Sequence, residues 1–393
     1  MKHTSNPIFP EELSFDSMKL LSLMEKKNLD LILISTRHNI RYLMSGYYYP
    51  LYIWDSHTKE TQYVPFLAIP QGDLKKAFFV GRPGESDILE EEDLWIPECF
   101  ESSAVGSIAA AELLVKILKD RHFDKAQIGV ELSSLPADAY KVLKNGLPLS
   151  GLVEVSDIMD GLRSVKNKKE IELIRKGTLL NVQTVDFVLE NGKPGTNTAE
   201  IASEVAEGFR EKGLHFLYSL VCAGPHYFRA ASIKRTWELN EILHIDTGGL
   251  IEGYVVEVCR TGYLGNPSRM AEKMYQSCLQ LENYVLSELI PGVKASVLQL
   301  KADVFLKNHP LGSSGKFIAH GIGLVHHEKP VINLQSAEIL EPGMVISIEM
   351  EFKNREVGHV KIEDMVLITE KGCEVLSPGS GNWDFSNPAY KRK

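Results

Sequence analysis

Five side chains able to bind a metal stand in three stretches of the sequence: Asp246 with Glu257, then His320, then Glu349 with Glu363. The first stretch, ILHIDTGGLIEGYVVEVCRTG (Ile242 to Gly262), reads as an apolar strand, a Gly-rich turn and a second strand, the pattern of a β-hairpin. Its two carboxylates sit among Ile, Leu and Val. Burying one bare carboxylate there is costly, and burying two together costs more unless a cation pairs with them. Taken alone, this hairpin is read equally well with Asp246 as a turn former and Glu257 facing water. A second stretch, MVISIEMEFKNREVGHVKIEDMVL (Met344 to Leu367), repeats the arrangement, with a carboxylate in each β-rich run. Between them lies AHGIGLVHHEKP, Ala319 to Pro330. Two acidic hairpins and a Gly-flanked histidine together have the composition of a metal cage.

Four carboxylates would balance two divalent cations. Strands suit the task because alternate side chains share one rigid face. An oxygen-dominated set with one imidazole favours Mn²⁺, Fe²⁺ or Co²⁺, and cysteine-free zinc sites also exist. Two such ions can share a water, lower its pKa and polarise a carbonyl, so the expected chemistry is hydrolysis. Strand parity leaves alternatives open: Glu349 and Glu351 share a face, Glu363 competes with Asp364, and His320 competes with His326 and His327. A lone histidine is more often structural than a ligand.

The 393 residues are enough for two domains and a large core. Hydrophobic residues at 44% and charged residues at 24% match an ordinary globular protein and argue against disorder. A net charge of −9 disfavours nucleic-acid and anionic-membrane partners. The segment MKHTSNPIFPEEL has no apolar run of the signal-peptide kind, and no window reaches the ~18 apolar residues of a membrane span. Five scattered cysteines without CxxC spacing imply reduced thiols and a cytoplasmic setting.

The elements that must position these side chains follow from periodicity. Helical patterns cover 14–28, 108–119 and 137–145, and strand patterns cover 29–36, 61–69, 75–81 and QIGVEL. This alternation predicts an α/β domain with a mixed sheet over 1–160, and it holds no phosphate-cradling glycine loop. The segment GLRSVKNKKEIELIRKG, 161–177, marks the boundary, and its charge density reads as the solvated face of a helix running to about Val188. Thr198 is the expected cap of the next helix. The second domain, 161–393, contains an internal echo, each half reading helix, Pro-Gly break, helix and acidic hairpin. It predicts an α+β fold with pseudo-two-fold duplicated halves facing one site.

The segments HIDTGGLIEGYVVEVCRTG, AHGIGLVHHEKP, GMVISIE and VKIEDMVLITEKG lie in the order of the motifs of the pita-bread metallopeptidases, and the chain resembles that family over about Lys166 to Lys371. The family includes methionine aminopeptidase, aminopeptidase P, prolidase and the metal-free creatinase. STRHNIRYLMSGYYYP is similar to the creatinase/prolidase N-terminal domain. The resemblance implies Asp246, Glu257, His320, Glu349 and Glu363 as metal ligands for two divalent ions, manganese first. It implies Glu349 as general base and His327, seven residues after His320, as a substrate-side catalytic histidine. Four positions depart from the family pattern. Glu257 stands for Asp, His226 stands at an Asn place with no histidine after it, Met350 stands for Pro, and Lys361 stands for Arg. The implied activity is hydrolysis of Xaa-Pro or related small peptides. The alternatives are C–N hydrolysis of the creatinase or ectoine-hydrolase kind, and an inactive binding protein of the same fold. A homodimer is expected in which the N-terminal domain of one subunit overhangs the active site of the other, on the motive of the aromatic stretch GYYYPLYIW (46–54), which reads equally well as a packed core strand.

Overall fold

The computed structural model describes residues 2–4, 13–47, 62–87, 91 and 94–379. Of the aromatic stretch, Tyr48, Tyr49, Tyr52 and Trp54 lie outside them. The chain divides into two compact units, Met1–Leu162 and Arg163–Lys393.

The first unit is built on a seven-stranded mixed sheet. Its strands are β1 (Lys2–Thr4), β2 (Leu31–Ile34), β3 (Phe66–Pro70), β4 (Phe78–Gly81), β5 (Glu98–Glu101), β6 (Gln127–Val130) and β7 (Gly151–Glu154), in the order β1-β5-β4-β3-β2-β6-β7. The pairs β2–β6, β4–β5 and β6–β7 are parallel, and the others are antiparallel. Helices α1 (Ser17–Lys26), α2 (Arg37–Leu43), α3 (Ser107–Asp120) and α4 (Ala137–Gly146) fall between the strands, and α5 (Ser156–Arg163) follows the last of them. One apolar core joins Leu31, Phe66, Phe78 and Ile128 of the sheet to Leu114 of α3 and Leu143 of α4. The strand read at 75–81 is shorter than its pattern: Leu74–Lys76 forms a 3₁₀ turn capped by Asp73.

In the second unit, helices α6 (Lys168–Asn191) and α7 (Thr198–Glu211) precede the first acidic hairpin, and α8 (Arg269–Glu288) and α9 (Ala295–Asn308) precede the second. Helix α6 opens with a capping box formed by Asn167 and Glu170. Helix α7 is capped by Asn197 rather than Thr198. The Asn197 side chain accepts from the Ala199 and Glu200 amides and Glu200 reaches back, while the Thr198 hydroxyl donates to the Ser232 carbonyl. In the charged boundary segment the helix exposes Lys168, Lys169, Glu172 and Lys176 as read, but the two cations just before it do not follow that reading. Lys166 and Arg163 are buried, and both pair with the buried Glu328.

The strands here are β8 (Thr196–Asn197), β9 (His215–Ala223), β10 (Thr236–Trp237), β11 (Ile242–Ile251), β12 (Tyr254–Tyr263), β13 (Gly315–Gly321), β14 (Glu328–Val331), β15 (Val345–Asn354), β16 (Gly358–Ile368) and β17 (Cys373–Val375). β8 and β10 pair with each other, and the main sheet runs β14-β13-β15-β16-β12-β11-β9 with β17 on β16. Its two hairpins, β11–β12 and β15–β16, meet where Cys259 faces Glu363. Helices α6 and α7 pack on the first half, and α8 and α9 on the second, as a pseudo-two-fold duplication requires. Ile245, Val256, Val258, Ile346, Ile348 and Ile362 alternate with the chemistry-bearing side chains and fill the core.

Candidate metal centre

Strand register brings the sequence candidates to one face of the main sheet. Asp246 pairs across to Cys259, two residues from Glu257; Cys259 faces Glu363, and Glu363 faces Glu349. His320 faces Ser347, two residues before Glu349. Asp246, Glu257, Glu349, Glu363 and His320 are all buried. Glu349 belongs to this cluster. Glu351, on the same face, lies further along and binds His359 (2.9 Å) and Lys353 (3.1 Å). Asp364 points to the other face and pairs with Arg260.

The contacts inside the cluster divide it into two places for positive charge. In the first, His320 Nε2 lies 3.5 Å from Glu257 Oε1 and 3.4 Å from Glu349 Oε1. Glu257 Oε1 is buried with no hydrogen-bond partner. In the second, Lys361 Nζ lies 2.5 Å from Asp246 Oδ2, 2.7 Å from Glu349 Oε2 and 2.8 Å from Glu363 Oε2. Arg229 Nη1 adds a contact of 2.6 Å to Asp246 Oδ2. The remaining oxygen of Glu257, Oε2, accepts from Tyr218 Oη (2.9 Å) and meets His326 Nε2. Glu363 Oε1 accepts from Ser347 Oγ (3.0 Å). The three histidine rings are neighbours, with centroids 3.9 Å apart for His320–His327 and 4.9 Å for His326–His327.

Glycines make room for this packing. A Cβ on Gly248 would stand 2.6 Å from the Tyr218 ring, so the Tyr218–Glu257 contact needs glycine there. A Cβ on Gly321 would meet the Lys329 carbonyl at 2.2 Å, which explains the glycine directly after His320.

Electrostatics follow from burial and these pairings. Burial raises the Glu349 carboxyl, but His320 and Lys361 outweigh it and bring the group down to about 2. Burial also raises Glu363, and there it prevails over Lys361, with Glu349 and Asp246 pushing the same way. Burial lowers Lys361, yet Glu363, Asp246 and Glu349 hold its ammonium far above the ordinary lysine value. Burial, then the neighbouring His320 and His326, holds His327 below the usual histidine range. The Glu257 contact raises His326 above it.

Sequence reading missed Tyr218, Arg229 and the placement of Lys361. Lys361 was visible as a lysine two residues before Glu363, which on a strand puts both on one face. His226 stands apart from the cluster, its Nε2 accepting from Arg235 and its carbonyl from Cys222 Sγ.

The family model for metallopeptidase family M24 matches residues 172–370, and that for the Creatinase/Prolidase N-terminal domain matches 18–165. The chain belongs to metallopeptidase family M24. Membership implies divalent metal cofactors. The M24 chain is 27% identical over 370 residues to an Xaa-Pro dipeptidase of Pyrococcus horikoshii, covering 91% of this chain and 95% of the relative. Its fold matches the prolidase structure from Pyrococcus horikoshii with a TM-score of 0.77 at 24% identity, over 92% and 97% of the two chains. It matches an X-Pro aminopeptidase from Thermotoga maritima with a TM-score of 0.76 at 19% identity, over 91% and 98%.

The chemistry of the donors, two carboxylates and an imidazole, suits a divalent ion at one of the two places. Ligand atoms about 2.1 Å from a common tetrahedral ion stand roughly 3.4 Å apart. His320 Nε2 has that spacing to Glu257 Oε1 and to Glu349 Oε1, and Glu257 Oε1 has no hydrogen-bond partner. The second place holds the Lys361 ammonium. Among the described residues, no three Asp, Glu, His or Cys side chains form a ready cage.

Proposed function

We propose that this M24 chain is a metal-dependent peptidase acting on Xaa-Pro or related small peptides. The observation that carries the reading is the convergence of Asp246, Glu257, His320, Glu349 and Glu363 on one sheet face of a chain that aligns over nearly its whole length with an Xaa-Pro dipeptidase. The metal ligands come from these five residues, and their oxygen-rich chemistry favours manganese. What a divalent ion supplies at such a site is Lewis-acid polarisation of a carbonyl and a more acidic water.

The chain's own residues do the rest. Glu349, kept ionised by His320 and Lys361, accepts a proton from the attacking water at a carboxylate oxygen. His327, kept neutral by burial and by its histidine neighbours, donates a hydrogen bond to the oxygen that gains charge as the peptide carbonyl is attacked. Tyr218 and His326 hold the longer Glu257 side chain by its outer oxygen, which fixes the direction of Oε1. The reading also takes residues 1–160 and 161–393 as the two domains, the chain as cytoplasmic, and the assembly as a homodimer. Free cysteines favour a reducing compartment. Exposed Phe228 and Ile233, on the loop that carries Arg229, offer apolar surface to a second copy.

The test is release of proline from Xaa-Pro dipeptides by Mn²⁺-supplemented protein, with creatine and ectoine as competing substrates. Turnover of the dipeptides supports the reading. Turnover of a small amide alone replaces it with the creatinase kind of activity, and no turnover of any substrate overturns it.

A further inference from the structure

Dinuclear hydrolytic sites need carboxylates whose oxygens are free to bridge two ions. Here those oxygens are already engaged. Lys361 Nζ sits 2.5–2.8 Å from one oxygen each of Asp246, Glu349 and Glu363. Arg229 shares the Asp246 oxygen. Glu257, the only one of the four carboxylates that Lys361 does not touch, presents Oε2 to Tyr218 and His326 and leaves only Oε1 unpartnered.

Charge points the same way. Lys361 already meets Asp246, Glu349 and Glu363, and Arg229 meets Asp246 as well, so a second divalent ion at that place would stand against two fixed cations. A lysine ammonium is compact enough to act as a point cation among three oxygens; a guanidinium is a broad planar fork.

We propose that the Lys361 ammonium permanently takes one of the two cation places, and that the chain binds a single divalent ion between Glu257, His320 and Glu349. The proposal rests on the metal-hydrolase reading above and narrows it from two ions to one.

The experiment is Mn²⁺ stoichiometry after equilibrium dialysis, read by elemental analysis, with the Mn²⁺ paramagnetic resonance spectrum as a second readout. Wild-type protein is expected to hold one ion per chain with an uncoupled six-line spectrum. Lys361→Met is expected to hold two, with the broadened spectrum of a coupled pair, and so is Lys361→Arg, whose broad guanidinium does not fit among the three oxygens. Two ions in the wild type overturn the proposal without any variant, as does none. One ion in both the wild type and a folded Lys361→Met overturns the assignment to Lys361. If Lys361→Met does not fold, Lys361→Arg and the wild-type spectrum decide. A one-ion wild type that is inert on Xaa-Pro peptides sinks the substrate assignment and leaves the ion count standing.

Discussion

Arg260 Nη2 lies 2.8 Å from Asp364 Oδ1, and both side chains are almost fully buried on the face of the sheet opposite the carboxylate cluster. Arg260 also donates to the Glu363 carbonyl (2.9 Å) and the Ser377 carbonyl (2.8 Å), and the Ser377 hydroxyl bonds Asp364 (2.5 Å). The backbone that carries Glu363 is thus clamped from behind. Asp364→Ala strands the guanidinium and should cost about 3–5 kcal/mol. A lower urea midpoint, with unchanged Mn²⁺ stoichiometry in the folded protein, is the expected result. An unchanged midpoint refutes the clamp.

Glu328 anchors the histidine loop. Its carboxylate meets Arg163 Nε at 3.2 Å and Lys166 Nζ at 2.8 Å, all three side chains buried. Glu328→Gln leaves two buried cations facing a neutral amide. Stability should fall by about 3 kcal/mol. Because His327 is the preceding residue, kcat should drop roughly tenfold through lost positioning. Metal content should not move, and a variant that loses metal instead would show that the loop supports a ligand.

His327→Ala tests the substrate-side role directly. Removing a positioned proton donor typically costs about 10²-fold or more in rate. The expected variant keeps its Mn²⁺ and loses kcat with little change in KM. Loss of Mn²⁺ would make His327 a ligand.

Acid stability carries the sign of Glu349. Its carboxyl falls from 4.5 to about 2 on folding, because His320 and Lys361 overcome the effect of burial. A lowered folded-state value gives stabilisation that is complete above pH 4.5 and is lost as the pH falls toward about 2. Glu363 has the opposite sign: burial raises it, so its ionised form is a cost that acid removes. In chelator-treated protein, Glu349→Gln should flatten the fall in melting temperature across that window. Parallel curves for variant and wild type would refute the assignment.

The hairpins and their carboxylates were legible because a strand pattern interrupted by Asp or Glu among Val and Ile has few physical explanations. Parity could not choose Glu363 over Asp364, since that requires knowing which face the helices cover. In the fold the answer is the Arg260 clamp behind one and Lys361 beside the other. Lys361 was noticed in the sequence as a departure from Arg, yet its reach to Asp246 depends on β12 pairing with β16, a contact between segments 100 residues apart along the chain. Tyr218 was invisible for the same reason, its partner Glu257 lying across β11. Charge density misled at Lys166, where lysine and arginine are buried because one glutamate from a distant loop satisfies both.

The two acidic hairpins join along a seam at which Cys259 faces Glu363. Asp246 and Glu257 stand on one side of that seam, and Glu349 and Glu363 on the other, so their mutual repulsion pushes the halves apart. Any cation between them works as a rivet. A rivet made of metal can be drawn out by a chelator, but one made of a lysine side chain is tethered to its own strand. The duplicated halves should therefore stay joined when stripped of ions, and EDTA should silence this protein without unfolding it.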